Sequence, residues 1–467
     1  MFNLTAKEFV NLAKKYNLVP VYKELDIGEH SPVEAFAKIA GENSFLLESV
    51  AGSEKIARFS FLGTVAKDKV KKLSRFSQIK KLLAEYNQPA PVKGLPRFHG
   101  GLVGYVSYDM VREIESLPSK NPDPLALPPM VFLAAETLLA FDHVRGKLLI
   151  IANAKADKNP EKAYDLACQN ISRLEKMLQK PVELSELKEQ LAALSFRSNF
   201  SQKQFEAVVS KGKEYIKAGD IIQFVPSQRL EITTTANPFN VYRVLRQMNP
   251  SPYMYYLKLG KLEIVGTSPE VMVRLENGEA TVRPIAGTRR RGQGPAEDLV
   301  MEKELLACPK EVAEHVMLVD LGRNDLGRVC EYGSVKVTEQ LVVERYSHVM
   351  HIVSNVTGQL RSGLDAVDLL KATFPAGTVS GAPKVRAMEI IDELENRKRG
   401  LYAGCIGYFG FSGEMDTCIT IRTIVFKGDQ AYVQVGAGIV ADSNPTEEYK
   451  ETMNKAKAML RSIELAS

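Results

Sequence analysis

Short apolar bursts and helical spacings alternate along this chain. Ser44-Phe-Leu-Leu-Glu-Ser-Val50 and Gly100-Gly-Leu-Val-Gly-Tyr-Val-Ser107 are apolar runs of strand length, punctuated by glycine and proline. From Ala154 to about Ser198 the pattern turns polar and helical, as in Pro160-Glu-Lys-Ala-Tyr-Asp-Leu166, and passes Gln179-Lys-Pro181 into a second charged helix. That stretch reads as a connector. At Ser201-Gln-Lys-Gln204 a capping box opens an amphipathic helix with Phe205, Val208, Val209 and Ile216 on one side. Strands are predicted over 221–225, 262–265, 271–275 and 280–284, with Asn277-Gly278 as a hairpin turn between the last two. Helices are predicted over about 299–321 and 446–463. The division that follows is 1–153, a connector 154–198, and 199–467.

Composition narrows the class. With 467 residues, 45% of them hydrophobic, the chain can bury a large core. Charged residues make up 25%, and the net charge of +5 is spread along the chain, which fits an anionic small molecule better than a nucleic acid. Cys168, Cys308, Cys330, Cys405 and Cys418 show no Cys-x-x-Cys spacing, and their odd number argues against a disulfide framework. No apolar run approaches the roughly 20 residues that span a bilayer, and Met1 to Glu8 has no basic-then-apolar leader. The expectation is a cytoplasmic protein that binds no membrane.

Several segments could carry chemistry. Arg283-Pro-Ile-Ala-Gly-Thr-Arg-Arg-Arg-Gly292 joins a glycine turn to a basic exit. Thr378-Val-Ser-Gly-Ala-Pro-Lys384 and Val435-Gly-Ala-Gly438 place glycine beside apolar stretches, where backbone N–H groups can approach an anion, although neither matches a P-loop or a Rossmann fingerprint. Taken singly, each reads as a turn or a helix cap before it reads as an anion site. Glu311 and Glu314 share one predicted helix, and Glu447, Glu448 and Glu451 share the last; such spacings put carboxylates on one face. Without a Cys/His cluster, carboxylates from two helices suit Mg2+, while the ordinary role of a charged face is solvation.

The order of motifs is more specific than any one of them. Pro284-Ile-Ala-Gly-Thr-Arg289, Glu314-His-Val-Met-Leu-Val-Asp-Leu-Gly-Arg-Asn-Asp325, Tyr346-Ser-His-Val-Met-His351, Ser380-Gly-Ala-Pro-Lys-Val-Arg386, Gly407-Tyr-Phe409, Asp416-Thr-Cys-Ile-Thr-Ile-Arg422 and Gly436-Ala-Gly438 resemble the chorismate-utilising enzymes, above all their anthranilate-forming branch. The resemblance spans nearly the whole chain and is densest from about Phe200 to Ile463. It implies an α/β (α+β) fold, with two antiparallel sheets packed together, helices outside, and chorismate and Mg2+ in a deep cleft.

The resemblance also implies roles. It maps Mg2+ ligands onto Glu314 and Glu451, with Glu311 and Glu448 as outer neighbours. Substrate contacts fall on Gly287, Thr288, Tyr402, Arg422, Gly436, Ala437 and Gly438. Glu270, in Thr267-Ser-Pro-Glu270, matches the general acid, whose pKa a closed cleft must raise for service at neutral pH. His351 matches the histidine near the departing enolpyruvyl group, and Thr378 takes another active-site position. His315 and His348 keep a structural reading.

Relatives differ in the nucleophile that meets C2. The para-aminobenzoate branch, which makes aminodeoxychorismate, resembles this chain but carries a ring-attacking lysine where this chain has Ala286. Isochorismate and salicylate synthases carry a water-activating lysine where it has Gln223. Ammonia is therefore the expected nucleophile, giving anthranilate and pyruvate in the first step of tryptophan biosynthesis. None of the five cysteines lies in a Gly-x-Cys-x-Gly elbow, so ammonia is expected from glutamine through a separate glutamine amidotransferase subunit, in a hetero-oligomer. Leu46-Leu-Glu-Ser49 and Asn249-Pro-Ser-Pro-Tyr-Met254 resemble tryptophan-inhibition elements; Ser49, Pro252, Tyr253 and Met254 are carried over, with Glu48 and Asn249 beside them. A rival without catalysis, in which Arg289 to Arg291 bind an acidic partner or nucleic acid, meets the objection that the net charge is small for this length.

Overall fold

A computed structural model describes the chain except residues 29, 51–57, 87–88, 157–158, 188–193, 347–348 and 467. Two large antiparallel sheets organise it. The first has eleven strands: in spatial order they run from Leu18–Asp26 and Lys147–Lys155, through Asn43–Glu48, Tyr253–Leu259 and Leu262–Ser268, to Gln430–Gly436, Ser227–Thr233 and Phe196–Ser198. The second, of ten strands, runs from Ile285–Arg290 and Val349–Gln359 through Val271–Glu276, Met415–Ile419 and Cys405–Gly410 to Gly101–Val106, Met130–Ala135 and Val70–Leu73. The α/β architecture expected from the sequence is therefore present. Both sheets mix strands from the two ends of the chain: Asn43–Glu48 pairs with Tyr253–Leu259, and Gly101–Val106 with Cys405–Gly410.

These four strands are largely buried on both faces, and their pairing places them at the centre of the protein. Phe45, Phe61, Tyr255 and Leu257 of the first sheet meet Val103, Tyr105, Ile406 and Tyr408 of the second in a central core layer. The outer face of the first sheet is covered by Pro32–Ile39, Pro160–Leu178, Pro238–Met248 and Pro445–Ala466, and that of the second by Phe76–Ala84 and Ala366–Thr373. The helix Pro160–Leu178 in the expected connector buries Ala167, Ile171, Leu174 and Leu178 against the first sheet.

Local signals played out in detail. Ser201 caps the helix Gln202–Ala218 through a reciprocal box with Gln204. Asn277 and Gly278 both take positive φ, 51° and 81°, and join Val271–Glu276 to Glu279–Val282 in a two-residue turn. The helix predicted over about 299–321 is instead two, Pro295–Ala307 and Pro309–Gly327. Pro309 has no N–H to give and its ring excludes the preceding turn, so Cys308 stays extended at φ −80°, ψ 107°. The strand predicted over 221–225 shrinks to Gln223–Phe224, paired with Gly381–Ala382.

Candidate active site

The break at Cys308 aims the second helix. Pro309–Gly327 packs across the strands Ile285–Arg290 and Val349–Gln359, which brings Glu314 to Gln223: the Gln223 Nε2 donates to Glu314 Oε1 at 2.9 Å. Burial raises the Glu314 pKa, and Glu311 and Glu451 raise it further by like charge, so Glu451 of the last helix stands within electrostatic reach. Burial and the same Glu451 also raise Glu448. Lys455, one turn on, pairs with Glu451 at 2.7 Å and donates to the Gly436 carbonyl at 3.1 Å. Glu311 is bound by Arg289 at 3.2 Å.

Among the described residues, no three His, Cys, Asp or Glu side chains are grouped to hold one ion by themselves. Two carboxylates crowded by like charge remain a fitting anchor for a hard divalent cation that takes its other oxygens from water and an anionic ligand. Glu314 and Glu451 would hold it, with Lys455 giving up Glu451.

The glycine strand lines the opposite wall. Strand Gln430–Gly436 ends opposite Ser227, and the chain continues through Ala437 to Gly438. A Cβ on Gly438 would stand 2.7 Å from Gln223 Nε2, so the backbone abuts the amide that holds Glu314. Tyr402 is buried, and burial pushes its phenol to about 12. Arg422 holds a left-handed φ of 51° while largely buried, a conformation that marks an over-determined position.

In the loop Pro284 to Arg289, Gly287 takes φ 71° at a bulge, where the strand Ile285–Arg290 shifts register against Val349–Gln359 between Ala286 and Thr288. The bulge brings the Gly287 carbonyl and Thr288 Oγ1 to 3.1 and 3.0 Å from His351 Nδ1. Burial lowers the His351 pKa, so the ring is neutral near pH 7, and an Nδ1–H donated to Gly287 leaves Nε2 as the acceptor. Glu270 is 8% exposed, and burial raises its carboxyl to about 8 despite the Thr378 hydroxyl that faces it. The Thr378 Oγ1 has no partner at ordinary hydrogen-bond geometry.

The three arginines shape the loop. Arg289 binds Glu304 and Glu311, Arg290 binds Glu297, and Arg291 binds Asp298. His315 is fully buried against Ser354 at 2.7 Å, and burial drives it down to about 4, in keeping with a structural role. His348 lies outside the described residues.

A separate cavity opens between the sheets, lined by Ser49, Pro252, Tyr253 and Met254. The Met254 side chain packs mainly in the core on the outer side of its strand, while the Ser49 hydroxyl is buried without a partner. Glu48 is engaged by Tyr242 and by Arg246 at 2.9 Å. Asn249 lies aside, its amide 3.4 Å from Thr267 Oγ1. Arg97 and Arg274, absent from the motifs, and Asp416, to which its motif gave no role, line the same cavity, and both arginines pair with Asp416, at 3.2 and 3.1 Å. The sequence reading also overlooked Lys455, although its i,i+4 spacing from Glu451 was available.

Residues 41–461 match the family model described as chorismate binding enzyme. The chain belongs to this family. Anthranilate synthase component 1 of Aquifex aeolicus is 46% identical over 99% of this chain and 98% of its own length. The component 1 chain of Acetivibrio thermocellus is 47% identical over 100% and 99%. Anthranilate synthase component I from Streptococcus pneumoniae superposes with a TM-score of 0.79 at 38% identity, covering 94% of this chain and 99% of that one. The menaquinone-specific isochorismate synthase from Escherichia coli, at 17% identity and TM-score 0.74 over 98% of both chains, shares the fold. Among the described residues, no helix of this family member is long and apolar enough to cross a membrane.

Proposed function

We propose that this chorismate-binding enzyme is the aminating component of an anthranilate synthase, converting chorismate and ammonia to anthranilate, pyruvate and water. One observation carries the choice of product. The two positions where relatives place a reactive lysine hold Ala286, in the bulged strand, and Gln223, bound to Glu314, so neither supplies an amine for the ring or a base for water.

The side chains divide the work. Arg422 offers a planar fork for a carboxylate, and the Gly436-Ala437-Gly438 backbone and Tyr402 close the opposite wall. Glu314 and Glu451 would hold Mg2+, which would supply charge neutralisation for the ring carboxylate. Ammonia adds at C2 as the conjugated double bonds shift and the C4–O bond breaks; Glu270, protonated near pH 7, gives its proton to the departing hydroxyl, which leaves as water. The added nitrogen sheds its extra proton. Loss of the C2 proton and cleavage of the enolpyruvyl C–O bond then release pyruvate and leave an aromatic ring. Neutral His351 stands beside Gly287 and Thr288 on the enolpyruvyl side, with Nε2 able to accept a proton.

The same reading includes a cytoplasmic enzyme fed by a glutamine amidotransferase subunit and inhibited by tryptophan in the cavity of Ser49, Pro252 and Tyr253. The unpartnered Ser49 hydroxyl and the facing Arg97, Arg274 and Asp416 would suit an amino acid's two charges. Product identification by NMR tests the activity. With chorismate, Mg2+ and 15N-ammonium, the label is expected ortho to the carboxylate; a para label would place the chain in the para-aminobenzoate branch.

A further inference from the structure

Arg399 and Glu395 form an ion pair deep inside the protein, 2% and 5% exposed, with contacts of 2.7 to 3.2 Å. The rest of the guanidinium is spent on backbone. Nη1 donates to the Val379 carbonyl at 2.7 Å, and Nη2 donates to the Val225 carbonyl. Glu395 Oε1 in turn accepts from the Ser227 N–H and the Ser227 hydroxyl, each at 2.8 Å. The guanidinium carbon lies 5.5 Å from the centroid of the Tyr402 ring and 4.8 Å from that of Tyr108.

Each of these anchor points adjoins the candidate site. Val379 follows Thr378, and Val225 lies two residues beyond Gln223, whose amide holds Glu314. Ser227 is the ladder partner of Gly436, and Tyr402 is itself a wall of the site. Two lengths of chain remote from Arg399 in sequence, at Val225–Ser227 and at Val379, are thus referenced to one planar cation.

Stability alone gives a poor account of such a pair. A buried ion pair commonly does no better for stability than apolar side chains of the same volume, because desolvation offsets the attraction. What it adds is geometry, since the guanidinium presents five donors in a rigid fork that a lysine cannot reproduce. We propose that Arg399, oriented by Glu395, is a positioning residue that sets Thr378, Gln223, Tyr402 and Gly436 relative to one another for the amination reaction. This rests on the function proposed above.

The test uses Arg399→Met, Arg399→Lys and Glu395→Gln in the full chain, assayed with chorismate, Mg2+ and ammonium. A displacement of the reacting groups by about 1 Å costs roughly 100-fold in rate. Arg399→Met and Arg399→Lys are therefore expected to lose about 10- to 100-fold in kcat, with Glu395→Gln between them and the parent. The melting temperature and near-UV circular dichroism of at least the lysine variant should stay close to the parent's. A purely structural role would not move the pH profile. Positioning predicts that it does: with Val379 released, the backbone that carries Thr378 against Glu270 moves, the surroundings of that carboxyl change, and the alkaline limb of kcat/KM shifts. Parental kcat in both arginine variants, or losses that only follow the unfolded fraction with an unshifted limb, would overturn the inference. If the parent chain itself forms no anthranilate, the functional reading fails instead.

Discussion

The side-chain amide of Gln223 donates to Glu314 Oε1 at 2.9 Å, so this residue serves a carboxylate. That contact stabilises the ionised form of a group that burial and Glu311 push the other way. A hydrogen bond to a charged group is worth about 1.5–3 kcal/mol. Gln223→Met should raise the Mg2+ concentration for half-maximal activity by about 10-fold, and more at the lower of two pH values, where less of Glu314 is ionised. A Mg2+ titration of activity at two pH values measures this, and an unchanged requirement would remove Gln223 from the account.

Glu270 links activity to pH. Its carboxyl titrates at about 8 in the folded chain because it is buried, against 4.5 for an ordinary glutamate. The acid is competent below that value, so kcat/KM with ammonia should fall as the pH rises through it, after correction for the ammonia fraction. The folded state holds the extra proton between the two values, so Glu270 lowers stability progressively across that window. Glu270→Gln removes the titration: activity should drop about 100- to 10,000-fold, while the melting temperature gains on the parent at alkaline pH and not near pH 4. Equal pH dependence of melting in both proteins would contradict the assignment.

The backbone at Gly287 sets the loop proposed to meet the substrate. A Cβ there would stand 3.2 Å from Glu311 Oε2, Ile352 Cδ1 and Leu305 Cδ1, and φ is 71°. Gly287→Ala should cost about 1–2 kcal/mol for the left-handed backbone. If the loop relaxes to avoid it, the His351 contact at the Gly287 carbonyl is lost, and the KM for chorismate rises. Steady-state kinetics decides: parental KM and kcat would mean that the loop does not touch substrate.

Much of this was legible in the sequence, for identifiable reasons. The Asn277-Gly278 turn and the Ser201 box are local, so adjacent residues suffice to predict them. The helix break at Pro309 was equally local, yet the apolar pattern on both sides ran on and hid it. Partnerships between distant segments were not legible. Arg97 meets Asp416 only because the strand that follows it, Gly101–Val106, lies two places from Met415–Ile419 in the second sheet, and nothing near Arg97 announces it. Likewise, Arg399 looks like one more cation in a basic stretch until the fold shows what its fork reaches.

Tryptophan binding can be read without interference, since the chain contains no tryptophan of its own. Emission from added tryptophan should shift on binding to the inter-sheet cavity. Ser49→Ala removes a buried hydroxyl that has no partner among the described residues. It should weaken both binding and inhibition by about 5- to 10-fold, the scale of one hydrogen bond, while uninhibited activity is retained. Unchanged inhibition would place the effector elsewhere.

The most direct test of the whole account supplies the isolated chain with chorismate and Mg2+ and follows anthranilate fluorescence, first with ammonium at alkaline pH and then with glutamine alone. The account predicts anthranilate from ammonium, none from glutamine, and glutamine-dependent formation once an amidotransferase subunit is added. No anthranilate from ammonium, or an equal rate from glutamine with this chain alone, would contradict it.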